Sequence, residues 1–141
     1  MRFSDDDLNE IYDRTSGYCH LCHRKLAFTN YGVLGARGAW EVEHSNPQAR
    51  GGTHMRRNLY AACVPCNRSK CCRSTKSVRH ENGVRKAPLC VQGRKSAKEK
   101  QTLAGGLVGG TIGAALFGPL GAAAGFLVGA SVGSRQNPDR R

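Results

Sequence analysis

The order of apolar and polar positions predicts one helix near the start of the chain. Ser4 followed by Asp7 is typical of a helix N-terminus, where acidic side chains meet the positive end of the helix dipole. Leu8, Ile11 and Tyr12 then fall on one face of the helix. We therefore predict a short helix over residues 5–14.

Two strands and a second helix are predicted further along the chain. Residues 40–44 read Trp-Glu-Val-Glu-His, an alternation typical of a strand, and residues 59–63 can form a second strand. Pro65 suits the first turn of a helix, so we predict a helix over residues 66–73. Residues 26–39 are glycine-rich and are predicted to be mostly loop. The predicted fold class is α+β with a small core.

Residues 103–133 form a long segment without any charged side chain, unlike the rest of the chain. Its glycines recur on a four-residue period that only Phe117 interrupts: Gly105, Gly109, Gly113, Gly121, Gly125, Gly129 and Gly133. Small residues at this spacing let helices approach closely in a bilayer, whereas in water each glycine costs a helix about 1 kcal/mol relative to alanine. We predict a helical glycine-zipper segment associated with a membrane. The alternatives are a helical segment that self-associates into a homo-oligomer and a flexible tail.

Gly118-Pro119 divides this segment into two halves. Each half has roughly 15 residues and a helical length of about 22 Å, which is less than the ~30 Å hydrocarbon core. Basic side chains flank the segment on both sides: Arg94, Lys95, Lys98 and Lys100 before it, and Arg135, Arg140 and Arg141 after it. This arrangement favours a hairpin with both ends on the cytoplasmic side.

The basic charge is concentrated in one stretch. The formal net charge is +12; residues 1–67 hold eight basic and seven acidic side chains, whereas residues 68–100 hold eleven basic and two acidic ones. Such a concentration favours a polyanionic partner, most simply nucleic acid, over a solvated linker. We expect little stable structure in the basic linker without that partner. The predicted divisions are a folded domain, a basic linker, the apolar segment and a polar tail at residues 1–73, 74–102, 103–133 and 134–141.

Two Cys-x-x-Cys pairs predict a metal site. Four thiolates at this spacing can hold a structural zinc, and the four are Cys19, Cys22, Cys63 and Cys66. No apolar secretory signal precedes them, so we expect a cytoplasmic protein, with or without attachment to the inner face of a membrane. The remaining thiols, of which the first two could compete for the zinc, are Cys71, Cys72 and Cys90.

His44 is the main candidate for catalysis. Imidazole can deprotonate water near neutral pH, and a histidine at a strand end is presented rather than buried; the alternative is a ring that only packs or binds backbone. Glu43 could bind a hard cation such as Mg²⁺, with Glu41 as the other carboxylate on that strand face. Asn67 could supply an amide oxygen to the same cation or cap a helix. Asn58 could tie down the loop that carries His44 or be a plain turn residue.

Basic residues near these positions are candidates for contacts with phosphates. They lie between the two strands and on the second predicted helix: His54, Arg56, Arg57, Arg68, Lys70 and Arg73. Each alone is weak, because exposed basic residues are common. Together they predict nucleic-acid binding that weakens as salt is added.

These motifs in combination resemble the HNH nuclease family. The matching stretches are Gly-Tyr-Cys-His-Leu-Cys from residue 17, Glu-His-Ser-Asn-Pro from residue 43, Gly51-Gly52, Asn58-Leu59, and Cys-Val-Pro-Cys-Asn-Arg-Ser-Lys from residue 63. The resemblance covers residues 11–70 and is to the zinc-containing subgroup that ends in Cys-Asn. It implies a small ββα-metal fold stapled by zinc.

The resemblance also implies a role for each site residue. His44 would be the general base, Glu43 and Asn67 would hold a catalytic Mg²⁺ or another divalent cation, and Asn58 would orient the loop that carries His44. The four paired cysteines would bind structural zinc. Two features depart from the family: it more often has Asp where Glu43 stands, and the glycine-zipper segment is not part of its nuclease module.

The sequence thus predicts a metal-dependent endonuclease that hydrolyses phosphodiester bonds, most simply in DNA. The apolar segment would tether it to a membrane or assemble it with other copies. One alternative is a non-catalytic zinc-ribbon module that binds nucleic acid. A second is a membrane-inserting toxin or defence effector that carries a nuclease domain.

Overall fold

The computed structural model describes residues 3–139 and divides the chain into two compact units. The first unit extends to Val91 and the second begins at Gln92. The first is a mixed α+β unit around a two-stranded sheet, and the second is built on a long apolar helix.

Helix α1 (Asp5–Asp13) confirms the predicted first helix to within one residue. The Ser4 hydroxyl accepts from the backbone N–H of Asp7, and the Asp7 carboxylate reaches back to the backbone N–H of Ser4. This reciprocal capping box satisfies donors that a helix start otherwise leaves unpaired. The helix buries Leu8 and Ile11, and Tyr12, the third residue of the predicted face, packs partly buried against the core.

The two predicted strands are confirmed as β1 (Trp40–His44) and β2 (Leu59–Cys63). They pair antiparallel, with Trp40 opposite Cys63 and His44 opposite Leu59. Helix α2 (Val64–Lys70) follows β2 directly. The predicted bounds of this helix were wrong: it begins two residues earlier than expected, with Pro65 in its first turn, and it ends at Lys70 because Cys71 adopts a positive φ of 47°.

The core of the first unit is small and centres on Trp40, which is fully buried. The rings of Tyr12, Phe28 and Tyr31 surround it with centroid distances of 5.4, 6.2 and 4.9 Å. Residues 26–39 contain one short 3₁₀ turn and are otherwise irregular, as expected. A core of this size gives limited stability, so a metal staple would contribute much of it.

The predicted absence of structure in residues 74–102 was wrong. Helix α3 (Thr75–Glu81) starts at Ser74, whose hydroxyl accepts from the backbone N–H of Ser77. Val78 is buried in the core of the first unit, and Arg79 donates to the backbone oxygen of His20. One apolar contact and one N-cap therefore order a segment whose overall charge suggested disorder.

The second unit is a helical hairpin. Helix α4 (Val91–Arg135) is broken at Gly118, where φ is 66° and ψ is −153°. The two arms run antiparallel along their glycines: a Cβ added to Gly109 would overlap the backbone oxygen of Gly125, and one added to Gly113 would overlap that of Gly121. Only glycine permits so close an approach of two helix backbones.

Most large apolar side chains of the hairpin point away from this glycine-lined seam, whereas Phe126 packs against Gly106 and Gly110. Leu116, Phe117, Leu120 and Leu127 are all more than two-thirds exposed. At the open end, the Arg94 guanidinium pairs with the Asp139 carboxylate. By length and composition α4 could cross a membrane. Of the expected basic flank, Arg140 and Arg141 lie outside the described residues.

Candidate active site and metal centre

The four paired cysteines meet at one point of the first unit. Their Sγ atoms all lie within 4.8 Å of one another, and those of Cys22 and Cys63 are 3.8 Å apart. A tetrahedral zinc with Zn–S bonds of about 2.3 Å would place its sulfurs roughly 3.8 Å apart. The donor set and its spacing therefore fit a metal such as zinc. Cys71, Cys72 and Cys90 are not in this cluster, so the expected competition for zinc has no structural basis among the described residues.

Local backbone geometry prepares the cluster for a metal. The backbone N–H of Leu21 donates to Cys19 Sγ at 3.4 Å, and the backbone N–H of His20 bonds to the oxygen of Ala61 on β2 at 2.9 Å. The first knuckle is thereby fastened to the strand that carries Cys63. Hydrogen bonding among the four thiols lowers the pKa of Cys22 and Cys63 and raises that of Cys19 and Cys66.

His44 stands at the end of β1 with its ring against His54. Its Nε2 lies 3.0 Å from His54 Nδ1, and His54 Nε2 lies 2.8 Å from the side-chain nitrogen of Gln48. With the Gln48 amide oriented in this way, its nitrogen can only donate, so His54 carries its proton on Nδ1 and donates to His44. Burial lowers the pKa of His44, and the neighbouring His54 and Lys70 lower it further. The structure therefore presents His44 as a neutral imidazole with a lone pair on Nε2.

Glu43 lines the candidate site and is almost fully buried, with only 1% of it exposed. Its Oε2 is 2.7 Å from His20 Nε2, and its Oε1 is 2.7 Å from Lys70 Nζ. Each carboxylate oxygen offers two lone pairs and has one such partner, so both oxygens keep acceptor capacity. Burial by itself would raise the pKa of Glu43, but contacts with His20 and Lys70 hold it below its usual value. The side chain is therefore a buried carboxylate.

Asn67 and Glu43 line one cavity together with His44. The cavity has a volume of about 290 Å³, and its lining includes Lys70, Cys71 and Cys72. The amide nitrogen of Asn67 donates to Glu41 Oε2 at 2.8 Å, and Glu41 Oε1 pairs with Arg68. The alternative carboxylate, Glu41, is thus held by these two partners and is not in the cavity lining.

Asn58 braces the loop that follows His44. Its Oδ1 accepts from the backbone N–H of Asn46 at 2.7 Å, and its Nδ2 donates to the backbone oxygens of Asn46 and Thr53 at 3.0 and 2.8 Å. Its own backbone oxygen accepts from Ser45. These four bonds tie together the two strand ends that carry the site.

Of the residues predicted to contact phosphates, most already have a partner within the protein. Lys70 is 2% exposed and is paired with Glu43, so it lines the cavity and is not available on the outer surface. The ring of His54 is hydrogen-bonded to that of His44. Three arginines are exposed but held by carboxylates on nearby elements: Arg56 by Asp7 and Glu10, Arg68 by Glu41, and Arg73 by Glu81.

Arg57 lies in a groove of about 480 Å³ beside the active-site loop. The groove is also lined by Arg50, Asn58 and the start of α3 at Ser74. Sequence reasoning missed Arg50, although its place before Gly51-Gly52 marks a surface turn. It also missed His20 as the partner of Glu43, and no local signal identifies that contact, because the two residues come from distant segments.

Comparison with known proteins agrees with part of this description. Residues 19–73 match the sequence model of the HNH endonuclease family, which covers less than half of the chain. A match to this family suggests a nuclease that acts on nucleic acid with a divalent metal. No curated protein and no solved structure matches the chain.

Proposed function

We propose that this protein is a metal-dependent endonuclease that hydrolyses phosphodiester bonds in DNA. The observation that carries the proposal is the cavity of about 290 Å³ into which the fold brings His44, Glu43 and Asn67 from two separate elements. It lies within the part of the chain that matches the HNH endonuclease family.

In this proposal His44 is the general base. Its neutral ring has a lone pair on Nε2, to which His54 donates in the structure as it stands. A water molecule that takes the place of this donor can pass a proton to His44 and attack phosphorus. His54 then serves as a positioning residue, since it fixes the tautomer and the ring orientation of His44 before the water binds.

Glu43 and Asn67 would hold a divalent cation such as Mg²⁺. The remaining acceptor capacity of the buried Glu43 carboxylate fits a cation, and the Asn67 amide nitrogen is used on Glu41, which leaves its oxygen as the ligand atom. When bound, the cation would stabilise charge on the phosphate and the leaving oxygen. Zinc on the four cysteines would be structural, because four protein ligands leave it no open position.

Nucleic acid would follow the groove lined by Arg50 and Arg57. Both guanidiniums border a polar surface that continues from Ser45, the residue after His44. No carboxylate is part of the groove lining, so bound phosphates would face guanidinium, hydroxyl and amide groups. This path would place the scissile phosphate next to the His44 cavity.

The test is a cleavage assay with purified protein, plasmid DNA, RNA and added Mg²⁺ or Mn²⁺. The wild type should cleave DNA, and His44→Ala should lose about 10²–10⁴-fold in rate while its zinc content and melting temperature stay unchanged. His80→Ala is the matched control, because this histidine is exposed on α3 outside the site. Metal-dependent binding without cleavage by the wild type would favour the non-catalytic zinc module.

We also propose that the hairpin tethers the enzyme to the inner face of a membrane. The supporting observation is its inverted packing: glycines line the seam, and most of the leucine and valine side chains face outward. Such a surface suits lipid, and the exposed basic residues Lys95, Lys98 and Lys100 suit anionic headgroups. Flotation with phosphatidylglycerol-containing vesicles tests it. A chain that stays unbound as a monomer would contradict it, and one that assembles without lipid would favour self-association.

A further inference from the structure

We propose that Lys70 makes divalent-cation binding at Glu43 conditional on bound nucleic acid. The inference rests on the proposed function and concerns the same cavity. In it, Lys70 is a positioning residue that neutralises Glu43 in the free protein. The cation and the phosphodiester then enter as a pair rather than separately.

The geometry places the ammonium group where it competes with a cation. Lys70 Nζ is 2.7 Å from Glu43 Oε1 and 3.0 Å from the backbone oxygen of His44. Both Lys70 and Glu43 line the cavity and both are almost fully buried. A Mg²⁺ ion coordinates carboxylate oxygen at about 2.0–2.1 Å, so an ion on this carboxylate would lie within a few ångströms of the ammonium.

Charge balance decides the order of binding. In the free protein the charges of Glu43 and Lys70 cancel. The only other groups joined to Glu43 among the described residues are His20, whose pKa burial lowers, and behind it the Arg79 guanidinium, so no further negative charge is present there.

The other nearby carboxylate, on Glu41, is held by Arg68 and Asn67 and is not in the cavity lining. A divalent cation alone would add two positive charges to a buried neutral site, which is unfavourable. A phosphodiester in the cavity supplies one negative charge, which offsets half of the added positive charge.

Linkage makes the effect reciprocal and measurable. If nucleic acid raises the affinity for the cation by some factor, the cation raises the affinity for nucleic acid by the same factor. Removing the ammonium frees Oε1 of Glu43 to bind the cation without DNA, while His20 still contacts Oε2, so the coupling shrinks. A lysine that only filled space would show no such change when replaced by a side chain of similar length.

The experiment measures Mn²⁺ affinity by electron paramagnetic resonance of the free ion. It uses zinc-loaded full-length His44→Ala protein, so that a DNA duplex remains uncut, with and without that duplex. We expect Mn²⁺ to bind about tenfold more tightly when DNA is present. The same titration on the His44→Ala, Glu43→Gln protein corrects for Mn²⁺ bound by the duplex itself.

Two substitutions at Lys70 then identify the cause. On the same background, Lys70→Met should bind Mn²⁺ more tightly without DNA and lose most of the coupling, whereas Lys70→Arg, which keeps the charge, should retain it. Melting temperature and zinc content show whether each variant is folded.

The inference is overturned if Mn²⁺ binds the His44→Ala protein equally well with and without DNA, a comparison that needs no change at Lys70. It is also overturned if a folded Lys70→Met protein keeps the full coupling. Either result together with metal-dependent cleavage by the wild type leaves the proposed function standing. An absence of both cleavage and Mn²⁺ binding would instead refute the proposed function.

Discussion

The two units of this chain bury opposite kinds of residue. In the first unit the large side chains are inside: Trp40 and Leu21 are fully buried. In the hairpin the glycines are inside, and Phe117 and Leu120 are 77% and 87% exposed. The first pattern is driven by removing apolar surface from water, whereas the second leaves that surface for another apolar phase. The difference teaches that a high apolar content does not by itself produce a core.

The largest expected effect separates the two units by metal dependence. Removing zinc with a chelator, or replacing Cys63 with serine, should unfold the first unit, because structural zinc supplies on the order of 10 kcal/mol in small metal-stapled folds. The hairpin contains none of the four clustered cysteines and should stay helical. Fluorescence of Trp40, the chain's single tryptophan, reports the first unit, and far-ultraviolet circular dichroism reports the remaining helix.

Cys72→Ser is the control for this measurement, since Cys72 is exposed and outside the cluster. It should leave the fluorescence of Trp40 and the zinc content unchanged. A chelated protein in which Trp40 remains buried would show that the apolar core alone supports the fold.

Replacing leucine by alanine should lower stability in the first unit and vesicle binding in the second. Leu21→Ala removes a fully buried side chain and should destabilise the first unit by about 2–5 kcal/mol, measured by denaturant unfolding followed through Trp40. Leu120→Ala changes an exposed position near the hairpin turn and should leave that unfolding curve unchanged. It should instead weaken vesicle binding. Equal destabilisation by both variants would break the comparison.

The hairpin seam can be tested with a pair of neighbouring glycines. Gly109→Ala places a methyl group against the backbone oxygen of Gly125 and should separate the arms at a cost of about 1–3 kcal/mol. Gly110→Ala is the matched control, because the nearest atoms are 3.6 Å from its added Cβ. A disulfide or spin-label distance across the arms measures the separation. No difference between the two variants would mean that the seam does not hold the hairpin together.

The smallest expected effect concerns charge in the first unit. Arg57→Gln should reduce the salt dependence of DNA binding by the equivalent of about one phosphate contact, a slope change of ~0.9 in log K against log salt. Arg56→Gln should change the slope less, because the Arg56 side chain is paired with Asp7 and Glu10. Titrations at several salt concentrations measure both slopes. A larger effect at Arg56 would move the nucleic-acid path away from the groove.

Local signals in the sequence predicted most of the elements of the first unit. Both strands and α1 were recovered because alternation and an N-cap act within a few residues. The expectation of little stable structure in residues 74–102 came from the basic charge and from Gly83, Pro88 and Gly93, and it was wrong, since buried Val78 anchors α3. A tertiary contact of that kind leaves no periodic trace in seven residues.

Part of the candidate site was likewise predictable from the sequence and part was not. The residue types and spacing predicted that four cysteines would meet, and the structure brings them within 4.8 Å. The burial of Lys70 against Glu43 was not predictable, because a lysine after a Cys-x-x-Cys pair has the same local pattern whether it faces solvent or the core. The sequence likewise does not distinguish an arginine that is paired with carboxylates, such as Arg56, from one that lines the groove, such as Arg57.

The sequence by itself determined the short elements, the cysteine cluster and the break at Gly118-Pro119, because these depend on backbone preference, ligand chemistry and spacing over a few residues. Only the tertiary structure decided that His20 and Lys70 hold Glu43, that His54 caps His44, and that glycines of two arms meet in one seam. The physical reason is that each of these contacts joins residues from separate segments, and its geometry exists only after the intervening chain has folded.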